Sequence, residues 1–77
     1  MSKEDITEKA IKDIGERLAE LRQKQEMSLR ELERKSGIYR ANLINVEKGR
    51  GNPSASTLAR IANALGYHMA FNKGKIK

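Results

Sequence analysis

Apolar residues recur every three or four positions along most of this 77-residue chain, the spacing of one face of an α-helix. The first such face consists of Ile6, Ala10, Ile11, Ile14, Leu18 and Leu21. Its strongest part predicts a helix over about residues 13–25. Residues 1–12 are then an N-terminal helical extension, either joined to that helix, separate from it or frayed, because Gly15 weakens the junction.

A capping box marks the start of a second helix. Ser28 has a side chain suited to an N-cap, and Glu31 follows three residues later. This helix is expected to cover residues 29–35 and to end at Gly37, which adopts the left-handed conformation readily. Only two residues separate it from a third helical run, residues 40–47.

A fourth helix is predicted over about residues 55–65, with Ser54 as its N-cap and Gly66 at its end. After it the apolar pattern changes to a period of two, which predicts a short C-terminal β-strand. No second strand is predicted elsewhere, so this strand is expected to pair with the same strand of another subunit. The residues assigned to this dimer contact are Tyr67, Met69 and Phe71.

The composition excludes several classes of protein. The chain has no cysteine, which removes disulfides, thiolate metal sites and cysteine nucleophiles. Its one histidine, His68, has no partner for a metal or nucleophile site, so we expect no cofactor, no metal and no enzymatic activity. Nothing in the sequence resembles a membrane span or a secretory signal, which predicts a cytoplasmic protein without a membrane partner.

Charge is distributed unevenly along the chain. Lys and Arg number 16 and Asp and Glu number 10, a net charge of +6. Residues 1–33 hold 9 acids and 7 bases, whereas residues 34–77 hold 9 bases and one acid, Glu47. A basic half of this kind favours a polyanionic partner, and a basic surface without a ligand is the alternative.

Two short helices joined by about four residues, with glycine at the turn, describe a helix-turn-helix. The string SLRELERKSGIYRANLINVEKGRGNPSASTLARIANALG resembles the phage-repressor-type (Cro/cI, XRE) helix-turn-helix family. The resemblance implies an all-α, lambda-repressor-like domain of four to five helices over residues 13–66, followed by the strand and a basic tail over residues 67–77. It is carried by Leu21, Arg22, Ser28, Glu31, Leu32, Gly37, Leu43, Val46, Glu47, Gly49, Asn52, Pro53, Ser54, Leu58, Ile61, Ala62, Leu65 and Gly66.

The family's recognition helix lies in the DNA major groove, and the resemblance places its start near Tyr39. It assigns base contacts to Arg40, Ala41, Asn42 and Asn45. Arginine donates two hydrogen bonds to guanine, asparagine pairs with adenine, and alanine touches the thymine methyl group. Without the surrounding motif, Arg40 and Asn45 would be interpreted as an ordinary exposed helix face.

Phosphate contacts are expected from helix N-termini and from the basic loop after the recognition helix. The candidates are Ser28, Tyr39, Lys48, Arg50, Asn52, Ser54, Ser56 and Thr57. The resemblance also implies an ion pair between Arg22 and Glu47, which would hold the recognition helix against the scaffold without touching DNA.

Three positions depart from the family's usual residues. Leu29 stands where glutamine is common, Glu33 where a small residue is common, and Tyr39 where serine or threonine caps the recognition helix. Ile44 is predicted to point outward, either towards a thymine methyl group or a subunit contact, or simply as an exposed apolar residue.

Together these features predict a sequence-specific double-stranded DNA-binding transcriptional regulator. Because one recognition helix reads few bases, we expect a homodimeric repressor that reads a palindromic operator through residues 39–47. The alternative is an antitoxin of a type II toxin-antitoxin pair, which would bind a cognate toxin protein and repress its own operon. Restriction-modification control and prophage repression are open on the same motif.

Overall fold

A computed structural model describes residues 3–68, in which the chain forms four helices. The predicted all-α fold is confirmed there. The predicted strand lies largely outside these residues, since Met69 and Phe71 are not among them. Of the helices described, none is long and apolar enough to cross a membrane. The helices are α1 (Lys3–Lys24), α2 (Leu29–Ser36), α3 (Arg40–Glu47) and α4 (Ala55–Ala64).

α1 is one continuous helix, so the junction at Gly15 is neither a break nor a frayed end. Gly15 is buried where α1 passes the C-terminal end of α3, and an added Cβ there would overlap the backbone carbonyl oxygen of Val46. Close by, a Cβ on Gly49 would lie 2.9 Å from the Cα of Lys12. Gly15 therefore permits a close backbone approach of α1 to α3, and Gly49 permits the same approach of α1 to the turn after α3.

The predicted serine caps are present at two helices. Ser28 Oγ accepts the Glu31 N–H at 3.0 Å, and Ser54 Oγ accepts the Thr57 N–H at 3.0 Å. Of the predicted capping box at α2, the hydrogen bond to the serine side chain is present. The Glu31 carboxylate instead lies 3.6 Å from Lys35 Nζ, farther along the same helix. These caps fix where α2 and α4 begin.

The core lies between the four helices and includes residues from the turns. Met27, between α1 and α2, and Ile38, between α2 and α3, are both buried. Burial of these turn residues holds each helix against its neighbours by removing apolar surface from water. The remaining core residues are Leu18, Leu21, Leu32, Leu43, Val46, Leu58, Ile61, Ala62 and Leu65.

Candidate nucleic-acid interface

α3 has one buried side and one exposed side. Leu43 and Val46 are buried in the core. Ala41, Asn45 and Lys48 follow each other at spacings of four and three residues along the opposite side, and all three are exposed. The four residues assigned to base contacts therefore reach solvent, with Arg40 and Asn42 flanking this exposed side.

Five of the candidate contact residues lie around one open groove of about 240 Å³, where the loop after α3 meets the start of α4. Asn42 and Asn45 line the α3 side of this groove. The groove therefore brings two of the four base-contact candidates together with three of the phosphate-contact candidates. The candidates that contribute from the loop and α4 are Arg50, Asn52 and Thr57.

Arg40 lies on the other flank of α3, in a second open groove of about 520 Å³. Ser28, at the start of α2, also lines this groove. The groove walls carry three arginines and two glutamates, so charge in it is mixed rather than uniformly positive. The residues other than Ser28 are Arg30, Arg34, Arg40, Glu31 and Glu33.

The other phosphate candidates lie outside both grooves. Tyr39 is 77% exposed, and Lys48 and Ser56 are also exposed. Ser54 is exposed too, but its hydroxyl accepts the Thr57 N–H and donates to Thr57 Oγ1 at 3.0 Å. Since both functions of that hydroxyl serve the cap, the hydroxyl proton of Thr57 is the better donor to a phosphate at this helix end.

The predicted partners Arg22 and Glu47 form a bidentate ion pair. Arg22 Nε lies 2.7 Å from Glu47 Oε2, and Nη2 lies 3.0 Å from Oε1. Arg22 Nη1 also donates to the carbonyl oxygen of Met27 at 2.9 Å. The two side chains are only 14% and 12% exposed. One guanidinium group therefore ties α1 to the last residue of α3 and to the turn before α2.

The same contact changes the protonation equilibrium of the arginine. The hydrogen bond to Glu47 raises the pKa of Arg22 above its ordinary value, against the lowering effect of burial. Because the pKa of Arg22 is higher in the folded state than in the unfolded state, its ion pair with Glu47 stabilises the fold fully at any pH below the unfolded-state pKa of arginine. This stabilisation is lost only as the pH rises through the raised value, in strongly alkaline solution, so the arginine keeps its charge throughout the neutral range.

Glu33 has a role in the site that the sequence interpretation missed. Tyr39 occupies the N-cap position of α3 but makes no side-chain hydrogen bond to the helix. Instead, Glu33 Oε2 accepts the Arg40 N–H at 3.0 Å, and Glu33 Oε1 lies 3.4 Å from Arg40 Nη2. A signal for this existed in the sequence, because a helix whose N-cap residue has no suitable side chain needs an acceptor from elsewhere.

The segment of the chain that contains α3 is strongly basic. Between residues 34 and 68 the only acid is Glu47, and Arg22 neutralises it. An excess of positive charge in the segment that contains an exposed helix is typical of proteins that bind nucleic acid. The basic residues of this segment are Arg34, Lys35, Arg40, Lys48, Arg50 and Arg60.

Comparison with known proteins agrees with this geometry. A family model described as Helix-turn-helix matches residues 18–72. The immunity repressor protein of Bacillus phage phi105 is 33% identical over 57 residues, which are 74% of this chain and 40% of that repressor. This chain thus spans well under half the length of that relative.

Two further proteins match over most of their own length. An uncharacterised HTH-type transcriptional regulator, y4dJ, of Sinorhizobium fredii (strain NBRC 101917 / NGR234) is 38% identical over 53 residues, 69% of each chain. The crystal structure of the restriction-modification controller protein C.AhdI from Aeromonas hydrophila is similar to this fold with a TM-score of 0.72 at 32% identity. That similarity covers 77% of this chain and 89% of the controller.

Proposed function

Since this chain belongs to the phage-repressor-type (Cro/cI, XRE) helix-turn-helix family and is a DNA-binding transcriptional regulator, we propose that it is a homodimeric repressor that reads a palindromic operator through α3. The observation that carries the proposal is the division of α3, whose buried side is fixed to the scaffold while its other side is open. The relatives are described as repressors, regulators and controllers, and the chain is a non-enzymatic regulator.

The exposed side of α3 has the chemistry for reading bases. Arg40 offers a forked pair of donors to the two major-groove acceptors of guanine, and Asn45 offers a donor and an acceptor to adenine. Ala41 presents a methyl group suited to the methyl group of thymine. The groove lined by Asn45, Arg50 and Thr57 would receive the phosphate backbone on one flank of α3, whereas Arg40 lies on the other flank.

Removing one base-reading side chain should relax the sequence preference at one position. For Arg40→Ala and Asn45→Ala we expect operator affinity to fall by about 1–3 kcal/mol each, with discrimination lost at a single base pair per half-site. Both side chains are exposed, so the melting temperature should change little. Selection of bound fragments from random duplex DNA measures the base discrimination, and fluorescence anisotropy measures the operator affinity.

The matched control is Arg17→Ala. Arg17 is an exposed arginine of α1 whose guanidinium lies 3.3 Å from Glu20, away from both grooves, and its loss removes the same charge. This variant should keep the consensus of the unchanged protein. If Arg40→Ala selected that same consensus, the assignment of Arg40 to base contact would be wrong.

The dimer is proposed because a single α3 spans few base pairs, whereas two related by a twofold axis would read half-sites about 34–36 Å apart. Tyr67, the first residue of the predicted strand, is 48% exposed and available for a subunit contact. We expect the full chain to sediment as a dimer and a chain truncated after Gly66 to sediment as a monomer with much weaker operator binding. Circular dichroism checks that the truncated chain keeps its helices. A truncated chain that remains dimeric would exclude the strand as the contact.

Among the regulatory roles open to this family, control of a restriction-modification system is the second candidate. The supporting observation is the similarity to the C.AhdI controller, nearly all of which the matched region covers. Footprinting of the DNA upstream of restriction and modification genes that neighbour its own gene tests this role. Stable co-purification of a neighbouring gene product that arrests growth would indicate the antitoxin role in its place.

A further inference from the structure

The start of α3 is capped by a side chain from the preceding helix. The Tyr39 carbonyl oxygen accepts the Asn42 and Leu43 N–H groups, which begins the helix, but the Tyr39 side chain is 77% exposed and caps nothing. The Glu33 carboxylate takes over this task by accepting the Arg40 N–H at 3.0 Å. A negative charge at this position is also favoured by the helix dipole.

The same carboxylate restrains the side chain that the proposed function uses to read guanine. Glu33 Oε1 lies 3.4 Å from Arg40 Nη2, so it occupies at most one of the five N–H donors of the guanidinium group. The Arg40 side chain remains 54% exposed, whereas that of Glu33 is 31% exposed. Arg40 is thus held at one edge while its other donors remain open to a ligand.

We propose that Glu33 is a specificity-determining positioning residue, which holds Arg40 towards a guanine edge and away from the phosphate backbone. This inference rests on the proposed function of α3. A restrained arginine loses less rotamer freedom on binding a base than a free one. An arginine without this restraint is free to contact a phosphate instead, and such a contact carries no sequence information.

The negative charge of Glu33 is also expected to favour specific over non-specific DNA binding. A carboxylate beside the DNA-facing surface repels phosphate and lowers affinity for every duplex, whatever its sequence. Glu33 therefore lowers non-specific binding while it supports one specific contact. The expected signature is a change in selectivity, which a cap with a purely structural role would not produce.

Glu33→Gln tests the inference, because the amide oxygen still accepts the Arg40 N–H but the charge and its hold on the guanidinium group are lost. We expect affinity for unrelated duplex DNA to rise severalfold, and the preference for guanine over other bases at the Arg40 position to fall about tenfold. The slope of log affinity against log salt concentration should steepen by about one, as for one added phosphate contact.

Two comparisons separate positioning from a general effect of charge. Glu31→Gln removes a carboxylate that lines the same groove but pairs with Lys35 and Arg34, so it should shift affinity for all sequences equally and leave the guanine preference unchanged. In an Arg40→Ala background, Glu33→Gln should have no effect on that preference, since the residue being positioned is absent.

Different experimental results would contradict this inference and the proposed function. If the unchanged protein selected no consensus from random duplex DNA, the proposed function would be wrong, and this inference with it. If it selected a consensus and Glu33→Gln kept the guanine preference intact, only the role of Glu33 would be overturned. A lower melting temperature with unaltered preference would likewise reduce Glu33 to a helix cap.

Discussion

Gly15→Ala is expected to lower the free energy of unfolding by about 2 kcal/mol or more, although alanine is the better helix former. Intrinsic propensity alone would favour the alanine by about 1 kcal/mol. The added Cβ, however, would overlap the carbonyl oxygen of Val46. That atom belongs to the backbone and has no rotamer by which to move aside, so α1 and α3 must separate and expose core surface.

Equilibrium unfolding in urea, followed by circular dichroism, measures this loss, and Gly51→Ala is its control. Gly51 has a positive φ of 73°, but a Cβ there meets no atom within 4 Å. The control should lose only about 1 kcal/mol, the cost of a left-handed backbone for alanine. A Gly15→Ala protein as stable as the unchanged chain would contradict the close approach of α1 and α3.

Glu47→Ala should lower the melting temperature by roughly 15 °C and abolish specific DNA binding. Removing one member of a largely buried ion pair leaves the other charge without its partner, at a cost of about 3 kcal/mol. For a domain of this size each kcal/mol corresponds to roughly 4–8 °C. DNA binding should fall by more than the loss of stability explains, because Glu47 is the last residue of α3 and its pairing orients that helix.

Two further variants distinguish the effect of an unpaired charge from the effect of lost side-chain packing. Glu47→Gln keeps an acceptor for Arg22 and should have a smaller effect on the melting temperature than alanine. In the double variant Arg22→Met/Glu47→Leu no charge is left unpaired, so its loss should be smaller than the sum of the two single losses. Differential scanning calorimetry at pH 7 measures all of them. An unchanged melting temperature for Glu47→Ala would mean that the pair does not stabilise the fold.

Much of the fold followed from local patterns in the sequence. The spacing of Leu43 and Val46 and the caps at Ser28 and Ser54 are local signals, and they placed α2, α3 and α4 within a residue of their observed ends. The ion pair between Arg22 and Glu47 joins residues distant in the chain. It was expected only because the sequence resembles a family in which these positions pair.

The contacts that sequence patterns did not predict depend on how the helices pack against each other. Gly15 was interpreted as a weak point in α1, because its effect on helix propensity is visible in the sequence while its distance from Val46 is not. Glu33 was noted only as unusual for its position, since its contact with Arg40 depends on the angle between α2 and α3. The assignments of individual bases and phosphates, and the dimer strand, stay predictions.

The division of α3 between a buried and an exposed side has a consequence for how such a regulator changes its target. Residues Ala41, Asn42 and Asn45 take no part in the core, so each is free to vary without loss of folding stability. New operators are therefore within reach of single substitutions at these positions. Arg40 is the exception, because its partnership with Glu33 means that retargeting this position succeeds best when both residues are exchanged together.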